Sequence, residues 1–231
     1  MNYRDVIGTF FEKNLPNLSK DYDWGIPSIA GFEHSAKKDY ASNVMLKSFL
    51  RSQWHATKTT DEKVQIAKLI IADWGKVQAN KTDTLEKYVN VITNHPNIVT
   101  PLQGVASYSK LFSIVHPADY AIYDSRVAAC LNATQALANV KDGMAFNYVS
   151  GRNNIIGNAE KKIGFVYDER YKKSALLSKG WTKIKRDETY ATYIKLLKSY
   201  LIDFPQYQLY DLEMALFSNA EDQCQKALDM V

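Results

Sequence analysis

Two side chains in this 231-residue chain sit where chemistry is possible: Lys110 and Asp124, within "ASYSKLFSIVHPADYAIYDSRV", residues 106 to 127. Lys110 falls inside a helical pattern beside Leu111 and Phe112. A lysine there either snorkels, with its stem packed and its ammonium in water, or is desolvated and becomes an amine nucleophile. Asp124 precedes "SRVAACL", where its carboxylate is placed to accept N–H bonds as a helix N-cap. Capping needs no function, but it fixes a carboxylate in the way that stabilising a developing cation demands. One turn, "HPADYAIY", lies between the two residues, so the spacing lets their side chains meet. Asp119, after Pro117, is expected to bond local backbone instead, and Tyr120 and Tyr123 to pack around the turn.

Upstream, "TPLQGVASYSK" puts Gly104 and a polar run before the lysine helix. A Leu-x-Gly-Val-small turn feeding a helix leaves main-chain N–H groups outward, and such a start can hold a phosphate. A plain helix–helix connection accounts for the same glycine.

The elements that must position these residues read as helices. "TTDEKVQIAKLIIADWG" opens with a capping box, Thr59 with Glu62, carries Ile66, Ile70, Ile71 and Trp74 on one stripe, and closes on Gly75. "TDTLEKYVNVITNHP" repeats the theme and ends before Pro96. "SYSKLFSIVHP" stops at Pro117, and "DSRVAACLNATQAL" follows. "DETYATYIKLLKSYLIDFP" stops at Pro205, and "YDLEMALFSNAEDQCQKAL" is the last amphipathic stretch. Alternating β patterning is scarce, with "KKIGFVY" the one candidate strand. The class is therefore mainly α. Residues 143 to 182, rich in Gly and Asn, are expected to be irregular and exposed. Trp24, Trp54, Trp74 and Trp181 are assigned to the core or a lobe interface, with Trp24, in "DYDWGIPSIAGF", the loosest of them and the one able to border a pocket.

Composition narrows the function classes. No run of eighteen apolar residues is present, so no membrane span is expected, and the N-terminus has no signal-peptide core. Two cysteines inside predicted helices, Cys130 and Cys224, fit buried thiols of an intracellular, cytoplasmic protein. Two cysteines and four scattered histidines argue against zinc and cannot supply a four-cysteine iron–sulfur cluster, so neither metal nor cofactor is expected. Net charge is +4, but residues 152 to 186 hold ten Lys/Arg against three acidic residues, or +7, leaving −3 for the rest. That concentration, within an irregular segment of about 143–186, suggests a surface facing a polyanion; a solvated loop is the alternative.

Taken together, these stretches resemble the helix-hairpin-helix DNA glycosylases, in particular the 8-oxoguanine glycosylase branch and small bacterial proteins similar to it. "LQGVASYSK" looks like the hairpin and lysine helix, within a hairpin region of about 97–116. "YAIYDSRVAACL" looks like the segment where the catalytic aspartate caps a helix, and "EMALFSNAEDQ", 213 to 223, like the helix lining the base pocket. The resemblance implies one two-lobed helical domain over residues 1–231, acting as a monomer on double-stranded DNA. It implies that a damaged or modified base is flipped into a pocket, because the bond is out of reach inside the stack, and that its N-glycosidic bond is cleaved. Asp124 would stabilise the sugar cation; Lys110 would attack C1′ and form a Schiff base, adding an abasic-site lyase step. Gly104, Val105, Ala106 and Ser107 would hold backbone phosphates, with Lys172, Lys173, Lys183 and Lys185 as further DNA contacts. Phe217 would stack on the extruded base and Glu213 would read it.

The pattern departs from the family at several points. Gln103 replaces the hairpin proline and Ala106 its second glycine. The family's lysine position is Tyr108, two residues before Lys110, which is about 200° around a helix. Glu213 stands where the branch has an amide and would accept an N–H, which leaves the excised base open. The resemblance allows enzymes with and without the lyase step, roles in base excision repair or in defence against modified DNA, and, as the alternative, a non-catalytic DNA-binding module.

Overall fold

The computed structural model of the chain describes residues 2–34, 36–94 and 99–230. Its helices are α1 (Tyr3–Asn14), α2 (Leu18–Asp21), α3 (Tyr40–Ala56), α4 (Thr60–Lys68), α5 (Thr82–Thr93), α6 (Val105–Val115), α7 (Ser125–Leu137), α8 (Lys173–Ser178), α9 (Thr189–Tyr200) and α10 (Leu209–Asp229). The fold is mainly helical, as the periodicities predict. None of the described helices is long and apolar enough to cross a membrane.

Local signals account for many of the boundaries. The Thr59 hydroxyl accepts from the Glu62 N–H while the Glu62 carboxylate accepts from Thr59, so the capping box starts α4. Gly104 precedes α6 in the left-handed region, φ +80°, which glycine adopts without strain. The part of the hairpin region at Asn97 and Ile98, and the predicted stop at Pro96, lie outside the described residues.

The centre of the molecule is built from α6, α7 and α10. Helix α6 is buried from Ser107 to Val115 and α7 from Val127 to Gln135. A helix buried on all sides must have neighbours all round. Small residues let them approach: Ala128, Ala129, Cys130 and Ala133 on α7, and Ala215, Ala220 and Cys224 on α10, are fully buried. Burial pushes the Cys130 thiol well above its ordinary pKa and Cys224 up to about 12, so both are inert packing groups. A single hydrophobic cluster runs from Ile7 on α1 to Ala227 on α10; Ala145, Leu176 and Trp181 form a small satellite.

Two expectations fail between α7 and α9. "KKIGFVY" is not a strand: Ile163 makes one bridge to Asn158, then Phe165–Tyr167 closes a 3-10 turn. Gly164 causes the break, with φ +94° and no room for a side chain, since a Cβ would lie 2.7 Å from the Asn154 carbonyl. The strands are instead four two-residue pieces. β1 (Met144–Ala145) pairs parallel to β4 (Thr182–Lys183), and β2 (Arg152–Asn153) antiparallel to β3 (Gly157–Asn158). Nor is 143–182 uniformly exposed: Phe146, Ile156 and Phe165 are fully buried in the main cluster, and Asn158 orders its loop by accepting from Glu160 and Lys161 N–H groups.

Candidate functional site

Asp124 caps α7 as its position predicts. Its Oδ1 accepts from the Arg126 N–H at 2.9 Å and the Val127 N–H at 3.1 Å, and its Oδ2 has no protein partner among the described residues. Three tyrosine hydroxyls pin the turn that leads into it. Tyr190 and Tyr193, one helical turn apart on α9, donate to the Ala121 and Ile122 carbonyls at 2.8 and 2.9 Å. Tyr123 donates to the Asn147 carbonyl at 2.8 Å, and its own N–H donates to the Ser109 hydroxyl. That last bond ties the Asp124 turn to α6, next to Lys110. Tyr123 thus packs around the turn as expected, and Asp119 in the same turn reaches α9. Its carboxylate pairs with Lys198 of α9 at 2.8 Å.

Lys110 is buried, only 7% exposed, and its Nζ donates to the Ala106 carbonyl at 2.7 Å. It does not snorkel. Burial lowers its pKa from the ordinary 10.5, opposed by the charges of Asp124 and Glu213. The residue at the family's lysine register, Tyr108, turns into the core, where its hydroxyl donates to the Pro101 carbonyl and its ring meets Tyr88, Phe112 and Tyr190. The 200° between the two positions therefore sends Lys110, not Tyr108, to the cavity.

That cavity, about 290 Å³, is lined by Lys110, Asp124, Glu213 and Phe217 together with Trp74, Gly75 and Lys47. Its volume is near the lower end of the usual range for small-molecule sites, about 300–1,000 Å³. The end of α4 shapes one wall by an irregularity. Leu69–Trp74 is a π-helical turn, with the Gly75 N–H reaching back to the Ile70 carbonyl at 3.0 Å. Such bulges recur at functional sites because they re-aim side chains. Here the turn brings Trp74, Gly75 and Lys76 to the cavity. Gly75 is the space for Lys110: a Cβ there would overlap the Lys110 side chain and lie 2.8 Å from the Ile71 carbonyl.

The base-reading candidates lie opposite. Glu213, 2% exposed, pairs with Lys47 of α3 at 3.0 Å. Phe217 meets the Trp24 ring edge-on at 4.9 Å, and the Arg126 guanidinium lies over the Phe217 and Trp24 rings at 4.9 and 5.3 Å and pairs with Glu221. Trp24 packs against the core and also borders the pocket. Of the lining residues, Lys47, Lys76, Lys110, Arg126 and Arg152 are basic and Asp124 and Glu213 acidic, five minus two giving a formal +3 over the lining. A planar, apolar-faced and electron-rich or anionic ligand fits this combination.

The backbone candidates are placed elsewhere. Gly104, Val105, Ala106 and Ser107 open α6, where the Val105 and Ser107 N–H groups donate to the Leu102 and Gly104 carbonyls, and the Ser107 hydroxyl accepts from Asn80. Lys172 pairs with Glu169 and Lys185 with Glu188, Lys173 reaches the buried Asn147, and Lys183 is exposed. From the basic segment it is Arg152 and Asn153 that reach the cavity. Among the described residues no His, Cys, Asp or Glu cluster is grouped for a metal.

Sequence reasoning missed Lys47, Arg126 and Tyr22. Arg126 carried a signal, two residues beyond the cap; Lys47 carried none. Lys47 has the larger energetic effect. Burial raises the Glu213 pKa above the ordinary 4.5 and Lys47 opposes the rise. A carboxyl whose folded pKa is raised favours folding below about pH 4.5, a contribution lost as pH rises through the folded value. Lys47→Met is therefore expected to cost about 3–5 kcal/mol at pH 8 by stranding the carboxylate, and less at pH 5, where Glu213 can take a proton. Urea denaturation at the two pH values checks this; a loss independent of pH would assign the cost to something other than Glu213. The chain matches no protein-family model, no curated protein and no solved structure.

Proposed function

We propose that the protein is a DNA glycosylase that takes a damaged or modified base out of duplex DNA and cleaves its N-glycosidic bond. The observation that carries this reading is the convergence of Lys110, Asp124, Glu213 and Phe217, from three regions of the chain, on one cavity whose lining has an excess of basic residues. On this reading the turn at Gly104 and the start of α6 act as a helix-hairpin-helix element within a two-lobed helical domain that binds DNA as a monomer. Asp124, fixed by two backbone N–H bonds, faces the positive charge that develops on the sugar as the base departs. The base stacks at Phe217 and Trp24 and gives an N–H to Glu213. Lys110, kept from water and with lowered basicity, is the amine that attacks C1′. Repair of damage and defence against modified foreign DNA both use this chemistry.

A panel of duplexes carrying different altered bases, scored for abasic-site formation, tests the reading. Excision of at least one base is expected, with DNA affinity falling steeply as salt rises because phosphate contacts release counterions. Salt-dependent binding with no excision across the panel would leave a non-catalytic DNA-binding module. An absence of salt-dependent binding would remove DNA as the partner.

A further inference from the structure

Most polar groups around the cavity are already committed. The Lys110 ammonium has the Ala106 carbonyl, Lys47 has Glu213, and Arg126 has Glu221. Two donors are not. Tyr22, which ends α2 and is 7% exposed, lines the cavity, and among the described residues its hydroxyl makes no hydrogen bond. The Trp74 indole Nε1 is sealed within the same wall and is also without a partner. Trp74 Nε1 is sealed, whereas the Tyr22 hydroxyl is not among the sealed atoms of this wall and opens on the cavity, so an acceptor on a bound ligand is its natural complement. Burial, with the charges of Glu213 and Asp124, raises the Tyr22 pKa well above 10, so the hydroxyl keeps its proton. Lys47, Lys76, Lys110, Arg126 and Arg152 already make donors the majority of the charged lining, and Tyr22 adds a neutral one. A ligand that brings an oxygen acceptor to Tyr22 and an N–H to Glu213 complements this lining.

We infer that Tyr22 donates its hydroxyl proton to a carbonyl oxygen of the bound base, so that the site selects oxo-bearing bases over counterparts that lack the oxygen. The inference rests on the proposed base-excision reading and adds to it a specificity-determining residue and a substrate class. Glu213 takes the neighbouring N–H, and the Tyr22 ring, 6.5 Å from Phe217, continues the aromatic wall.

The test compares wild type with Tyr22→Phe on matched bases in which sulfur, a poor acceptor, replaces the oxygen while the ring N–H stays: hypoxanthine against 6-mercaptopurine, and guanine against 6-thioguanine. Each pair is presented in duplex DNA for excision and as the free base for calorimetry. Wild type is expected to prefer the oxo member of each pair by about tenfold, the scale of one neutral hydrogen bond. Tyr22→Phe is expected to erase the preference without weakening the oxo-free member. Its thermal unfolding should be unchanged, because the hydroxyl has no protein partner to lose. A preference that survives in Tyr22→Phe overturns the inference, as does its absence in wild type or a failure of every free base to bind. The excision arm fails separately: free-base selectivity without abasic-site formation would retain Tyr22 as the reader and remove the glycosylase.

Discussion

Asp124→Asn is expected to lower base excision by at least about 10²-fold, the usual effect of removing one preorganised electrostatic group from a transition state, while DNA affinity and folding stay at the wild-type level. The substitution is chosen for what it preserves. Asn is as good an N-cap as Asp, and its side-chain oxygen can accept the same bonds from the Arg126 and Val127 N–H groups. Helix α7 therefore starts where it did, the tyrosine-pinned turn is untouched, and the charge alone is lost. Asp124→Ala would be less informative, because loss of the cap itself costs about 0.5–2 kcal/mol in a helix that forms the centre of the core. Single-turnover excision measured beside affinity for a duplex with an uncleavable abasic analogue separates the two roles. Wild-type excision by Asp124→Asn would show that the carboxylate is a cap and nothing more.

The placement of the site explains why such a cap can be held so firmly. Lys110 and Asp124 sit on consecutive helices, α6 and α7, that are buried almost throughout. Neither end of the intervening turn can move without disturbing close-packed side chains. The Tyr190, Tyr193 and Ser109 hydroxyls bond its backbone at 2.8 to 3.1 Å, and its own Tyr123 hydroxyl anchors it to the Asn147 carbonyl. The charged groups are thus carried by rigid elements, the arrangement that keeps a reacting geometry within tolerance.

What was legible in the sequence was what local physics writes there. The capping box at Thr59, the cap at Asp124, the proline stop of α6 and the apolar stripes of α4, α9 and α10 each depend on residues within a few positions of one another. The site's partners do not. Lys47 and Glu213 pair across 166 positions of chain, and nothing in "NVMLKSFL" distinguishes that lysine from a solvated one. Gly75 reads as an ordinary helix end; its use as space for Lys110 appears only when α4 and α6 pack. The π-helical turn preserves an apolar stripe indistinguishable from that of an α-helix. "KKIGFVY" alternates like a strand, but the positive φ of Gly164 is invisible in the alternation. Which way Lys110 faces was undecidable for the same reason: both faces of a fully buried helix are apolar, and the neighbour that recedes makes the pocket.

Borohydride reduction of the protein on a duplex carrying a preformed abasic site is expected to yield a covalent adduct, and Lys110→Ala to yield none. The neutral amine adds to the C1′ aldehyde, water leaves to give the imine, and hydride from borohydride converts it to a stable secondary amine. Starting from an abasic site removes base excision from the measurement, so variants at Asp124 can be compared. Burial has lowered the Lys110 pKa below 10.5, and the Asp124 and Glu213 charges work against that shift. Trapping should therefore rise with pH and level off at a midpoint below 10.5. In Asp124→Asn the midpoint should move lower still, because a carboxylate that favours the ammonium is gone. A purely structural lysine would show neither the adduct nor the coupled midpoint. Normal trapping by Lys110→Ala would transfer the nucleophile to another amine, with Lys47 on the same cavity the first to test. Loss of trapping with normal base excision would divide the work: Asp124 and water remove the base, and Lys110 acts on the abasic sugar afterwards.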